Sequence, residues 1–253
     1  MARFEHTTDV ARGSWIAPRL TGGRGTVTGV VPAGFECYVR VFHPVNDGRG
    51  GSRRWAAVCA ESGAPWHPLA QWESIRGAAD DEPLQGSLGE AGWALLSRAI
   101  GGDADITVGL WTGYGSIATP GTEPSSIAFL SAGDAAPDDS HGLADGALTS
   151  FDADVRAAPL LVLPGREYAL FAGKLSVFQD CEWRRSSGWA YFWPETVNLA
   201  WPDDRSWFAA SEIDFDSTIV GTTRAIAERI LASGLEAAIV PADGEPSIRV
   251  ESP

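Results

Sequence analysis

Lysine is almost missing from this chain. Lys174 stands alone among 253 residues, against 18 arginines. No G-x-x-x-x-G-K-[ST] loop can therefore be drawn, and P-loop nucleotide hydrolysis has no motif to rest on. Schiff-base chemistry would depend on Lys174, whose sequence surroundings offer nothing to activate it. Histidine is scarce as well, with four residues and no pair at helical ligand spacing, so a zinc site finds no support. His43 ends an apolar strand and His67 sits between Trp66 and Pro68. Both read as packed rings rather than as bases. A G-x-S-x-G elbow is absent too. The three cysteines, Cys37, Cys59 and Cys181, are far apart and form no C-x-x-C. They read as reduced, buried thiols. No apolar run reaches the roughly 18 residues of a membrane span, and the opening MARFEHTTDVARGSW lacks the apolar centre of a secretory signal. A cytoplasmic location is the expectation.

Acidic charge dominates what is present. Thirty-three Asp and Glu give a net charge of −14. Such a chain repels nucleic acid and anionic membrane, and neither is expected as a partner. A basic protein or a small ligand fits it better. The shortage of lysine beside abundant alanine and glycine also fits GC-rich coding or adaptation to salt, so acidity by itself assigns no ligand.

Hydrophobic residues make up 44% of the chain and tryptophan occurs 11 times, a composition that folds. Residues 1–253 read as one α+β domain with a mainly antiparallel sheet, because hairpins dominate and a regular βαβ alternation is missing. The first hairpin is expected from Thr26–Val31 and Phe35–His43, turning at Pro32-Ala-Gly34. A second spans Leu160–Leu163 and Tyr168–Phe171. Ile106–Trp111 reads as a strand, Leu175–Phe178 as one helical turn and Leu235–Val240 as a last short strand. Helices are expected from Arg53 to about Glu61, capped by Ser52, and from a Ser87–Glu90 capping box to Ile100. A third runs from Thr222 to about Ser233, stopped by Gly234. Residues 1–12 read as frayed. Residues 116–154, rich in Ala, Gly, Ser, Asp and Pro, read as a long loop or insertion.

The densest chemistry lies in Trp201–Thr218, WPDDRSWFAASEIDFDST. Read as a strand over Ser206–Asp214, it places Trp207, Ala209, Ser211, Ile213 and Phe215 on one face. Phe208, Ala210, Glu212, Asp214 and Asp216 take the other. Three carboxylates in a row repel unless water, a cation or arginine lies opposite. Water gives a solvated strand end, with Asp216 or Ser217 capping a helix that follows. A divalent cation, held by Asp214 and Asp216, is the one cofactor this pattern calls for. The excess of tryptophan reads chiefly as core, and as a ligand platform in its second reading. Glu212 with Trp189, Trp193 and Trp201 forms the candidate binding surface, within an aromatic 183–208 segment.

Asp214-Phe-Asp-Ser-Thr218, followed by Ile219-Val220, resembles the first motif of haloacid-dehalogenase-type phosphatases. That resemblance implies Asp214 as nucleophile and Asp216 as acid/base around magnesium. It covers about seven residues. Ser211 and Glu212 stand where that family is apolar, and the chain after Thr218 is too short for its later motifs. A longer series resembles a family of uncharacterised proteins from high-GC bacteria. Its landmarks are GSWIAPRL, GTV, WAAV, LWTGYG, PGREYALF and a W-P-x-D-x-x-W pattern before E-I-D-x-D-S-T. No activity, cofactor or catalytic residue comes with that family. The series makes D-x-D-S-T part of a larger pattern. The leading expectation is a non-catalytic binding or interaction protein. The alternative is a divalent-metal-dependent, phosphatase-like hydrolase using Asp214 and Asp216.

Overall fold

The computed structural model describes residues 2–23, 25–46, 51–75, 82–114, 153–180, 182–187 and 197–246. Nine strands form one antiparallel sheet: β1 (Glu5–Thr7), β2 (Cys37–Phe42), β3 (Asp105–Trp111), β4 (Leu161–Leu163), β5 (Arg166–Lys174), β6 (Leu199–Pro202), β7 (Phe208–Ala210), β8 (Ser217–Thr222) and β9 (Ala237–Val240). They lie in the order β1–β5–β3–β6–β7–β8–β2–β9, and β4 also pairs with β5. Three helices of two turns or more are described: α1 (Trp55–Ser62), α2 (Gly89–Ile100) and α3 (Arg224–Leu231). A small second sheet sets Val45–Asn46 between Ser52–Arg53 and Glu82–Pro83. The fold is α+β, as the hairpin-rich pattern implied. Among the described residues no helix is long and apolar enough to cross a membrane.

The central strands are covered on both faces, and their sequences show it. β2 and β8 are buried at every position. On one face Val39, Val41, Val108, Ala209 and Val220 meet α2, α3 and the helical turn Leu175–Gln179, where Trp93 stacks on Phe178 at 4.6 Å. The opposite face is covered by the segment around Trp15, Ile16, Val27 and Val31, packed on Leu199, Trp201, Phe208 and Ile219. A third cluster joins Phe42 to Trp55, Val58 and Cys59 of α1. Gly221 fits this close covering because a Cβ there would lie 2.4 Å from Phe35 Cδ2.

Several local expectations give way to tertiary contacts. Val27–Val30 is a helical turn, not a strand. Its Val27 and Thr28 amides donate to Gly244 O and Ala242 O, so β2 pairs instead with β8 and β9 from the far end of the chain. Residues 5–7, expected to fray, extend the sheet beside β5. Ser52 does not cap α1: the Glu236 carboxylate accepts from the Trp55 and Ala56 amides at 2.6 and 2.7 Å. The Ser87–Glu90 capping box does not form. Ser87 Oγ accepts from Gly89 N, at 3.3 Å. The helix expected from Thr222 begins later, because Thr222 is the last residue of β8, and Thr223 caps α3 by accepting from Ile226 N. Residues 116–152 of the long-loop reading lie outside the described residues, and a helical turn starts at Ala153.

Candidate functional site

The acidic stretch is a hairpin connection, not the end of one long strand. β7 stops at Ala210 and β8 starts at Ser217, with Ala210 opposite Ile219. Between them the chain turns, closed by Phe215 N donating to Glu212 O at 2.9 Å. The period-two reading therefore fails after Ala210, and the three carboxylates do not share a face. Ser217, expected to begin a helix, begins a strand buried in the sheet. Ile213, on the apolar side of the expected strand, is only half-buried in this turn.

Arginine lies against all three carboxylates, from two directions. Arg166 Nη2 contacts Glu212 Oε1 and Asp214 Oδ2, both at 2.8 Å, while its Nε donates to the same Glu212 oxygen at 3.1 Å. The guanidinium also lies over the Trp111 ring, 5.3 Å from its centroid. Asp214 is the most open member, with its side chain 43% exposed against 15% for Glu212. Burial lowers the Arg166 pKa, but Glu212 and then Asp214 more than offset this and hold it above its ordinary value. Burial pushes the Glu212 carboxyl up, and Arg166 pulls against that rise. Two carboxylates on one guanidinium leave the cluster an excess negative charge at the protein surface. It borders a cleft of about 30 Å³, lined by Leu20, Val30, Tyr168, Arg166 and Glu212 among others. That is room for about one water.

Asp216 points elsewhere. Its Oδ1 accepts from Arg40 Nη2 at 2.8 Å, and neither side chain is exposed. All five N–H groups of Arg40 are used: Nε on Ser217 Oγ, Nη1 on Pro68 O and Ala70 O, Nη2 on Asp216 and on Pro246 O. The guanidinium also lies over the Phe42 and Trp55 rings, at 4.4 and 5.4 Å. Burial pushes the Asp216 carboxyl up and the Arg40 guanidinium down, against their mutual attraction.

A second polar group lies on the helix-covered face of the same strands. Ser211 Oγ is 2.6 Å from Thr218 Oγ1, which is 2.9 Å from His43 Nε2, and His43 Nδ1 is 2.6 Å from Leu84 O. Burial drives the His43 pKa down to about 3, so the ring is neutral at pH 7. A neutral ring carries one proton, and only Nδ1–H can serve a carbonyl. The directions follow: His43 donates to Leu84 O, Thr218 donates to Nε2, and Ser211 donates to Thr218. Asn198 ties the neighbouring strand ends, accepting from Trp111 N and donating to Ser211 O. All of these hydroxyl, imidazole and amide side chains belong to buried residues.

The sequence-derived candidates are thus separated. Asp214 and Asp216 each engage a different arginine. Among the described residues no group of three His, Cys, Asp or Glu is placed to hold a metal ion. Trp201 is buried and stacked on Phe208 at 5.8 Å, not part of a surface platform. Trp183 and Trp207 are core residues too. Trp189 and Trp193 lie outside the described residues. Arg166, Arg40 and Asn198 are the participants that sequence reasoning missed. The signal for Arg40 was present: one arginine inside the apolar run Cys37–Phe42 calls for a buried acceptor. No known protein family, curated protein or solved structure matches the chain.

Proposed function

We propose that this protein is a non-catalytic binding or interaction protein whose acidic 211–216 connection takes a basic partner. The observation carrying this reading is the imbalance at Arg166. Glu212 and Asp214 share one guanidinium, and Asp214 keeps much of its carboxylate in solvent. A partner's arginine or lysine there completes the charge pairing, and the Trp111 ring beside Arg166 supplies an aromatic surface. The net charge of −14 favours encounter with such a partner.

The groups suited to covalent or acid–base work are turned inward. His43, Ser211, Thr218 and Asp216 are buried and hydrogen-bonded to one another or to Arg40. The hydrolase alternative, with Asp214 and Asp216 around a divalent cation, requires Asp216 to leave Arg40. Equal phosphoester turnover by wild type and Asp214→Asn in the presence of magnesium removes it. The binding reading is tested by affinity capture at low salt. Basic proteins retained at low ionic strength, released by salt and lost with Asp214→Asn support it. Empty captures at low salt, or the same proteins retained by Asp214→Asn, overturn it.

A further inference from the structure

A second charged feature lies away from the acidic connection and has the opposite sign. Trp15 is 8% exposed, and its ring carries two guanidinium groups: Arg19 Cζ at 5.6 Å from the centroid and Arg205 Cζ at 5.3 Å. The arginines come from opposite ends of the sequence. Arg19 closes the 3-10 turn Ala17–Arg19 and Arg205 lies in the turn between β6 and β7. Both are exposed, and neither makes an ion pair or a side-chain hydrogen bond among the described residues. The acids nearest in sequence are engaged: Asp203 with Arg12 at 3.1 Å, and Asp204 Oδ1 with Ser206 N at 2.9 Å. Asp9 lies 3.6 Å from the same Arg12. The Trp15 indole N–H finds no acceptor among the described residues either.

The backbone supplies an independent observation. Arg205 has φ 58°, the only positive φ of a non-glycine residue among the described residues. The Arg205 amide closes the turn on Pro202 O at 3.0 Å, in a left-handed conformation where glycine would sit without strain. A strained backbone position is a pointer to function. Cation–π contact fixes a guanidinium by its face and leaves its donor edge free, and that edge matches the geometry of an oxyanion.

We propose that Arg19 and Arg205, held on Trp15, form a binding site for an oxyanion of the phosphate or carboxylate class. In a protein of net charge −14 such an anion needs a local, preorganised cationic site. Two guanidinium groups lying over one ring provide it.

The test is a titration of the full chain with inorganic phosphate and, separately, with acetate at constant ionic strength. The arginine Nε–Hε resonances are followed by NMR. Arg19 and Arg205 are expected to shift together and saturate with one dissociation constant, while Arg3, an exposed arginine paired with Glu5, does not. Tighter phosphate binding assigns the phosphate class and tighter acetate binding the carboxylate class. Arg19→Gln and Arg205→Gly should each weaken binding at least tenfold. Arg205→Gly should do so without lowering the melting temperature, since glycine accepts the positive φ, and this separates a binding role from a structural one. Shifts that never saturate, that appear equally at Arg3, or that survive Arg205→Gly unchanged overturn the proposal.

Discussion

Arg40 and Asp216 meet at 2.8 Å in the interior, with no exposed surface on either side chain. The sequence reading made Asp216 a turn or cap residue, whose loss would cost about 0.5–2 kcal/mol. Burial changes that expectation. Removing one partner strands a charge, so Asp216→Ala and Arg40→Ala should each destabilise by about 3–5 kcal/mol. Desolvation offsets much of the pair's attraction, so a double replacement by Met at 40 and Leu at 216 should recover most of the loss. The three denaturant midpoints check this. A double variant as unstable as the worse single one would show that the carbonyl contacts of Arg40, not the ion pair, carry the energy.

His43 makes stability depend on pH with a definite sign. Its folded pKa, about 3, lies below the ordinary histidine value of 6.5. The unfolded chain therefore binds the extra proton first as pH falls. The neutral ring's contribution is fully present above about 6.5 and is lost progressively as pH drops toward 3. The span corresponds to roughly 5 kcal/mol. Unfolding free energies measured across that window should fall more steeply for wild type than for His43→Gln. Parallel slopes would place the acid sensitivity in the carboxylates instead.

Trp207 is 2% exposed within the core on the helix-covered face. Trp207→Ala should cost about 3–5 kcal/mol, as large-to-small core changes do. A shift in denaturant midpoint equivalent to less than about 1 kcal/mol would contradict this packing.

Trp207 also shows how far the sequence could be read. Alternation placed it on the buried face and holds through Ala210, where Ala209 and Ala210 are paired on both sides in the sheet. The hairpin at 160–171 and the strand at 106–111 were legible because their signals are local. The Val27–Val30 turn was not. Its β-branched residues suit a strand, but the C-terminal segment supplies its hydrogen-bond partners from more than 200 residues away. The acidic triplet misled in a similar way. Period two continued on paper through Glu212, Asp214 and Asp216, while Arg166 and Arg40, on other strands, draw these residues to opposite destinations. Neither arginine lies near the triplet in sequence, so only the sheet order could assign them.

On the proposed function, Asp214 and Glu212 receive a basic partner. Fluorescence anisotropy of a labelled octa-arginine peptide, titrated with the full chain at low salt, measures that contact. Asp214→Asn is compared with Asp105→Asn, an exposed carboxylate paired with Lys174. The prediction is a loss of about three- to fivefold in affinity for Asp214→Asn, in line with roughly 1 kcal/mol for a rim charge. Asp105→Asn should stay close to wild type. Equal losses in the two variants would reduce the interaction to net charge alone, and no loss at Asp214 would contradict the site.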